Sequence, residues 1–464
     1  MTLAFLEATA LVAAVCGTIF VWAHPLLLDW LGVGAVLSQA AALSLCCILA
    51  FYYNDLYDFR IVRSVSEFAS RLLQSFGVAM ILLAGLYALF PDTRIADGPF
   101  LASWLVIVGL LLPVRAVAYG IMRRRAFADR VLVVGTGPLA RKVIEEIHAR
   151  PHLGYEIVGV ADDGPVSEDP PLPYPVLGPL HHLAKIAGEA RADRIIVAMS
   201  ERRGRVPMDQ LIEAEARGIP VEDGLLTYEY FTKKLAIETL RPSVLVFSGG
   251  FRKTRLQLAV QRLVSVGVAA AGLVLTAPLM ALITLAIKLD SRGPALFVQD
   301  RVGLRGRPFG LLKFRTMVAA ERPTSEWAHD NEARITRVGR WLRKYRLDEL
   351  PQFVNILRGD MNLVGPRPHP VSNLLLFAER IPYYALRSSV RPGVTGWAQI
   401  RYGYANNLEE EIEKMRYDLY YIKHRSWWLD LRILLDTVKI VLFGRGSGAP
   451  DAYPSETVPR AVGQ

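Results

Sequence analysis

The run from Val264 to Ile287 sets 24 consecutive residues without a charge, more than the ~20 an α-helix needs to cross the hydrocarbon core of a bilayer. Its flanks are both basic. Arg252, Lys253, Arg255 and Arg262 precede it, and Lys288, Arg292, Arg301, Arg305 and Arg307 follow it. A spanning helix would place one of these clusters on the far side, against the positive-inside bias. Pro278 sits near the middle, in Leu275-Thr276-Ala277-Pro278. Its missing N–H and its ring break or kink a helix, and a carbonyl freed in lipid needs a local donor, which Thr276 is placed to provide. The run is therefore expected to be a re-entrant helix that enters one leaflet, bends at Thr276–Pro278 and leaves on the cytoplasmic side. An ordinary kinked span is the plainer alternative. On the re-entrant reading, residues 290–464 are cytoplasmic.

Charge is unevenly spread along the 464 residues, of which 52% are hydrophobic. The first 120 carry 5 basic and 7 acidic side chains, and the remaining 344 carry 49 and 37. The net +10 thus belongs wholly to the later part, which excludes a purely soluble chain and a wholly disordered one. Four apolar stretches, roughly 5–28, 33–53, 72–90 and 100–119, each approach spanning length. Arg60, Arg63 and Arg71 lie between the second and third, and Arg123, Arg124, Arg125 and Arg130 follow the fourth, while the other two connections hold only Arg94. This asymmetry places both ends of a four-helix transmembrane bundle, residues 1–120, in the cytoplasm. Cys16, Cys46 and Cys47 all fall in these apolar stretches, away from any zinc-ligand spacing, so neither a metal nor a disulfide scaffold is expected.

Residues 128–240 alternate strand and helix. Arg130–Val134 leads into Gly135-Thr136-Gly137-Pro138-Leu139-Ala140, the G-x-G-x-x-A form of a dinucleotide fingerprint. Strands at Ile157–Val160 and Ile195–Val197 and helices near His182–Ala190 and Met208–Ala216 complete a doubly wound, Rossmann-like α/β domain. Gly135 and Gly137 form a weak nucleotide-like loop, because Pro138 removes an N–H from it and Asp162 and Asp163 fall in a loop. A structural or regulatory role is favoured over a cofactor site. Residues 164–176, rich in proline, read as a surface loop.

Residues 250–445 are expected to form a mostly α domain, and the stretch from Asp290 to Arg367 within it is dense in features that phosphate chemistry would use. Lys313-Phe314-Arg315 puts two cations one residue apart, and Arg334, Arg337, Arg340 and Arg343 recur at i+3. That stripe reads first as a solvated or headgroup-facing helix surface. Beside it stands Arg346-Leu347-Asp348-Glu349-Leu350-Pro351-Gln352. Adjacent carboxylates on a helix diverge and can take different roles, one as nucleophile toward phosphorus and one as Mg²⁺ ligand. Taken alone, such a pair is usually a helix-surface pair. Gly359–Pro368 and Arg391–Trp397 are proline/glycine turns presenting Arg367 and Arg391, suited to phosphate or carbonyl contacts.

Gly-Pro-x-x-Phe-x-Gln-x-Arg-x-Gly (293–303), Lys-Phe-Arg-Thr-Met (313–317), Leu-Asp-Glu-Leu-Pro-Gln (347–352), Gly-Asp-Met-x-Leu-Val-Gly-Pro-Arg-Pro (359–368) and Arg-Pro-Gly-Val-Thr-Gly (391–396) occur in this order. The set closely resembles the bacterial sugar transferases, monotopic polyprenyl-phosphate hexose-1-phosphate transferases, in their long form with four N-terminal helices and a Rossmann-like domain. The resemblance implies that Asp348 attacks the β-phosphorus of a UDP-hexose, expels UMP and becomes a sugar-phosphoryl aspartate. Polyprenyl (undecaprenyl) phosphate then accepts the sugar phosphate, as the first membrane step of exopolysaccharide, capsule or O-antigen synthesis. It further implies that Glu349 binds Mg²⁺, that Lys313, Arg315 and Arg367 sit among the phosphates, that Arg391 lies near the nucleotide and that Asp430 lies near the lysine. The family's helix break often reads Ser-Pro, where this chain has Thr276-Ala277-Pro278. The expected place is the bacterial inner membrane, multi-pass, with the middle and catalytic domains cytoplasmic. Membrane lipids are expected partners, nucleic acid is not, and a homodimer through the middle domain is open.

A nucleotide-sugar oxidoreductase or dehydratase would need Tyr-x-x-x-Lys, and only Tyr230–Lys234 has that spacing, outside the expected helix. A non-catalytic, nucleotide-sensing membrane scaffold would have no need of Lys313, Asp348 and Glu349. A metal-dependent glycosyltransferase would need an Asp-x-Asp, which the sequence lacks. The tail 446–464 reads as disordered.

Overall fold

Without water to bond the backbone, apolar segments close their hydrogen bonds internally as helices. The chain opens with α1 (Thr2–Trp22), α2 (Pro25–Tyr53), α3 (Val65–Leu89) and α4 (Asp97–Arg123). α2 packs on α1 and α3, and α1 on α4, burying Leu11, Val15, Leu43, Cys47, Phe51, Leu83 and Ile107. Thr18, Ser75 and Ser103 each donate to the carbonyl four residues earlier, so these hydroxyls are satisfied without leaving their own helix. Gly34–Tyr53 and Ser70–Leu89 are long and apolar enough to cross a membrane, and Thr9–Val21 and Gly98–Leu110 are shorter apolar helices.

The computed structural model describes residues 2–22, 25–54, 56, 65–123, 128–150, 154–163, 172–199, 206–238, 240, 245, 250–318, 334–403, 405 and 407–442. The tail 446–464, most of the proline-rich loop, and Arg60, Arg63, Arg124 and Arg125 of the topology argument lie outside these residues. Contacts divide the chain into two compact units. One is Met1–Leu132 with Ile147–Val158 and Gly188–Arg194; the other is Val133–Glu146, Gly159–Ala187 and Ile195–Gln464.

The middle elements are β1 (Asp129–Val134), α5 (Pro138–Ala149), β2 (Tyr155–Ala161), β3 (Val176–Gly178), α6 (Leu183–Glu189), β4 (Arg194–Val197), α7 (Met208–Ala216), β5 (Val221–Asp223) and α8 (Gly224–Thr232). The five strands form one sheet in the order β3-β2-β1-β4-β5, with β2/β3 and β4/β5 parallel. The reversal of order beside β1 is the doubly wound arrangement expected of alternating strands and helices. The short outer strands β3 and β5 carry too few alternating residues to be read from the sequence.

The remaining elements are α9 (Arg255–Asp290), β6 (Leu296–Val302), β7 (Pro308–Phe314), α10 (Arg337–Lys344), α11 (Gln352–Arg358), β8 (Asn362–Val364), α12 (Leu374–Arg380), β9 (Gly393–Thr395), α13 (Trp397–Arg401), α14 (Leu408–His424) and α15 (Trp427–Leu442). α9 starts at a reciprocal cap in which the Thr254 hydroxyl accepts from Gln257 N–H and the Gln257 side chain accepts from Thr254 N–H. It then runs unbroken for 36 residues with Pro278 inside it. Pro278 therefore does not end the helix. Thr276 Oγ1 donates to Gly272 O at 2.7 Å rather than to Val274 O, the carbonyl that proline leaves without its usual i+4 donor.

α9 packs on α10, α11 and β8 along both halves. Before Pro278, Arg262 donates to Ile356 O and Met361 O, Ser265 Oγ accepts from Leu363 N–H and Ala269 joins Leu311, Ile356 and Met361 in a buried cluster. After it, Ile283 and Ile287 pack with Ala295, Phe314 and Leu342. A Cβ on Gly272 would lie 2.7 Å from the Phe353 ring. The opposite face leaves Val274, Leu275, Leu282, Leu285 and Leu289 exposed, an apolar surface suited to lipid.

Candidate active site

Asp348 and Glu349 reach the interior through a local backbone reversal. α10 is capped at Thr336, whose hydroxyl accepts from Gly339 N–H, and it ends at Tyr345. Arg346 then adopts a left-handed conformation, φ 52°, which costs a non-glycine residue about 1–2 kcal/mol. It turns the chain into a short 3₁₀ segment, Leu347–Glu349, that continues into α11 through Pro351. Both carboxylates are buried, Asp348 at 8% and Glu349 at 6% exposure, so the surface-pair reading fails.

Their surroundings differ. Glu349 Oε1 receives Arg367 at 2.8 Å, Lys313 at 3.5 Å and Arg346 at 3.9 Å, and Oε2 has no partner among the described residues. Burial alone would raise the Glu349 pKa, but Arg367, Lys313 and Arg346 hold it well below the usual carboxylate range. Asp348 makes no side-chain hydrogen bond or ion pair among the described residues. Burial raises its pKa, with Lys313 opposing and Glu349 adding to the rise. Burial, with Arg367 beside it, pushes the Lys313 ammonium down to about 8. One carboxylate is thus clamped by cations, and its neighbour is left unbonded in their field.

Lys313 comes from β7, which pairs antiparallel with β6 so that Lys313 faces Phe297 across the ladder. Asn355 of α11 fixes this hairpin, accepting from Leu312 N–H and donating to Gly310 O. Arg367 comes from the turn after β8, and its second contact is Gln399 Oε1 at 3.4 Å. The glycines flanking that turn serve close backbone approach. β8 and β9 pair in parallel, and a Cβ on Gly365 would lie 2.6 Å from Arg391 O, one on Gly393 2.1 Å from Gly365 N. Much of the Gly-Pro-Arg-Pro and Arg-Pro-Gly-Val-Thr-Gly spacing is therefore a packing requirement that delivers Arg367 to Glu349.

Three further expected site residues bond to groups other than the carboxylate pair. Arg315 donates to Ser291 O, Ser291 Oγ and Ile287 O, closing the C-terminal end of α9, where free carbonyls attract a cation. Arg315→Ala should lower unfolding stability by about 1.5–3 kcal/mol, the usual worth of charged hydrogen bonds, without changing turnover per folded molecule; thermal melts read beside activity check this. Arg391 Nε donates to Gly359 O, and Arg391 makes no hydrogen bond or ion pair with Asp348 or Glu349. Asp430 lies with Gln261 and Tyr421, each 2.8 Å away, rather than with Lys313; burial pushes its carboxyl up to about 6. Sequence spacing could not place these groups because hairpin and turn geometry decides which way each side chain faces.

Two residues gain importance. Arg343, read as part of a surface stripe, bonds Thr316 Oγ1 at 3.0 Å and acts on Asp348 electrostatically, while Arg337 and Arg340 of that stripe stay exposed. Gln399 joins through Arg367. In the middle domain, Asp162 Oδ2 accepts from Thr136 N–H at 2.8 Å and from Thr136 Oγ1 at 2.6 Å. The chain's own carboxylate thus takes a donor of the Gly135–Gly137 loop.

Buried carboxylates under guanidinium and ammonium groups, on a domain bound along an apolar helix, form a cationic site beside a segment apolar enough for a membrane. Residues 256–444 match the bacterial sugar transferase family and residues 53–211 the CoA-binding domain family. The chain belongs to the bacterial sugar transferases. It is 34% identical over 400 residues, 83% of this chain and 84% of the other, to UDP-glucose:undecaprenyl-phosphate glucose-1-phosphate transferase of Escherichia coli (strain K12). A protein of the same name from Caulobacter vibrioides is 48% identical over 185 residues, 39% of this chain and 69% of that one. UDP-N-acetylgalactosamine-undecaprenyl-phosphate N-acetylgalactosaminephosphotransferase of Aeromonas hydrophila is 39% identical over 230 residues, 49% and 54% of the two chains.

Proposed function

We propose that this chain transfers hexose 1-phosphate from a UDP-hexose to polyprenyl (undecaprenyl) phosphate and so starts a bacterial polysaccharide. The observation that carries this reading is the contrast between Glu349, tied to Arg367, Lys313 and Arg346, and Asp348, unbonded beside them. An Asp348 oxygen attacks the β-phosphorus; the bond from that phosphorus to the bridging oxygen breaks, and UMP leaves with the electron pair. A phosphate oxygen of the lipid then attacks the same phosphorus, forming the diphosphate and returning Asp348 as carboxylate. Lys313 and Arg367 balance charge on the transferring group. Glucose is the first hexose to test, because relatives aligned over about four-fifths of their length carry that name.

No cluster of three or more metal-ligating side chains occurs among the described residues. Mg²⁺ bound through one or two carboxylates plus substrate phosphates needs no such cluster, and Glu349 Oε2 fits as its protein ligand. When bound, it would neutralise charge on the diphosphate.

In this reading α9 stays on the side it enters, which fits contacts from one domain to both of its halves, while α1 to α4 as four spans and the later domains as cytoplasmic rest on the basic residues flanking the apolar stretches. A cysteine placed at Arg305 should resist an impermeant thiol reagent in intact cells and react after lysis. The decisive assay incubates membranes with a panel of radiolabelled UDP-sugars and identifies which label enters the organic phase, with stoichiometric UMP. A change in nicotinamide absorbance instead would indicate the oxidoreductase reading.

The Lys313 ammonium is cationic below its pKa of about 8 and neutral above it. The kcat/KM for UDP-sugar should therefore fall on the alkaline side with a midpoint near 8, while an arginine at 313, cationic throughout, should remove that limb.

A further inference from the structure

His369 is a buried titratable group that the transfer chemistry leaves unused. It stands two residues after Arg367, in Arg367-Pro368-His369-Pro370, and is 6% exposed. Pro366 and Pro368 flank Arg367, and each fixes its own φ, so a shift at either end of this turn is carried to the guanidinium with little slack. The leading end is bonded to β9, with Gly365 N–H donating to Thr395 O and Gly393 N–H to Pro366 O. The trailing end is bonded to β6, where Val302 N–H donates to His369 O at 2.9 Å and Arg301 to Pro368 O at 3.1 Å. The imidazole adds a third hold. Its Nδ1 lies 2.8 Å from Oη of Tyr384, which opens the 3₁₀ segment Tyr384–Ser389. Its Nε2 lies 2.8 Å from Oε1 of Glu411 on α14, and the ring stacks on Tyr384 and meets Phe377 of α12 at its edge.

The surroundings fix the protonation of this ring. Glu411 pairs with Lys414 at 3.1 Å and Asp418 with Arg387 at 2.7 Å, and all four are buried. These charges already balance, so a proton on the ring would be uncompensated. Burial, with Arg387 beside it, pushes the His369 pKa down to about 3, against the pull of Glu411. A neutral imidazole carries one N–H. Burial would raise the Glu411 pKa, but Lys414 holds it well below the usual carboxylate range, so this carboxylate can only accept. The N–H therefore sits on Nε2, and Nδ1 accepts from the Tyr384 hydroxyl. Each side of the ring meets its complement, in a fixed direction.

We infer that His369 is a positioning residue for Arg367: tied to Tyr384 and Glu411, it anchors the turn 365–370 so that the guanidinium rests on Glu349. The inference rests on the transfer reaction proposed above only for what a rate means, because the hold on Arg367 has a readout of its own. The full chain in detergent is treated with phenylglyoxal, and modification of each arginine is followed on its peptide by mass spectrometry. His369→Phe keeps a ring and loses both polar contacts. It should speed modification of Arg367 about fivefold, the scale of one lost hydrogen bond, while Arg315, bonded to Ser291, reacts as in the parent. It should also lower kcat/KM for UDP-sugar about tenfold or more, since small misplacements are costly in a reacting site. In an Arg367→Ala background the same change should add little, as expected of two groups acting through one contact. Tyr384→Phe, which removes one hydroxyl, should act in the same direction by less, and it carries the test if the ring variant does not fold. Unchanged reactivity of Arg367 in the folded variants would overturn the assignment. So would an equal gain at Arg315, or an equal loss of rate with and without Arg367, each the mark of a merely structural role. If Arg367 alone becomes reactive while no form of the protein, the parent included, releases UMP, His369 keeps this role and the transfer reading fails.

Discussion

Asp348→Asn should abolish sugar-phosphate transfer, lowering kcat by about 10⁴-fold or more, the scale on which removal of an attacking group acts. The amide is isosteric but lacks the anionic oxygen that forms the bond to phosphorus. Asp348 makes no hydrogen bond or ion pair among the described residues, and its buried charge is opposed by desolvation. The variant should therefore fold, insert into membranes and melt at or slightly above the parent temperature. Two readouts separate a nucleophile from a merely structural carboxylate. The parent, given UDP-sugar and no lipid, should release about one UMP per active site and yield a peptide containing Asp348 with a sugar phosphate attached; the Asn variant should do neither. Full turnover by Asp348→Asn would end the covalent mechanism.

Glu349→Gln should damage activity and fold together. Glu349 is the shared counter-charge of Arg367, Lys313 and Arg346, and without it three cations converge on a buried neutral amide. Breaking a buried pair from one side costs about 3–5 kcal/mol, so a clear fall in melting temperature is expected, together with a loss in kcat/KM on the order of 10²-fold or more from misplaced cations. The sign of the pH effect follows from the depressed Glu349 pKa. The stability that this carboxylate contributes is present above the ordinary glutamate pKa and is lost as pH falls below it. Parent and variant melting curves should thus converge on acidification. Coincident curves at neutral pH would remove Glu349 from its bridging role.

Much of the candidate site was legible because phosphate chemistry selects residue types. Asp348, Glu349, Lys313 and Arg367 could be named from ordered motifs, and the structure brings these four together. Arg315, Arg391 and Asp430 were expected at the phosphates, the nucleotide and the lysine from motif resemblance, and within the chain they bond to the α9 carbonyl end, Gly359 O and the Gln261–Tyr421 pair. A period of three along Arg334–Arg343 suggested one surface, yet Arg343 turns inward to Thr316 while Arg337 and Arg340 stay outside. In the middle domain the glycine fingerprint was visible, but not the approach of Asp162 to Thr136.

Local composition by itself determined that a long uncharged run would be a helix, that the first third would be apolar helices and that the middle would alternate strand and helix, since hydropathy and periodicity act over a few turns of chain. Only the tertiary structure decided that Pro278 stays inside a continuous helix, that Arg346 reverses the backbone to bury the acidic pair and that Glu349, not Asp348, collects the cations. Those outcomes depend on residues such as Lys313, Glu349 and Arg367, distant in sequence, meeting at 2.8 and 3.5 Å, and electrostatic energy in a buried site is set by such separations.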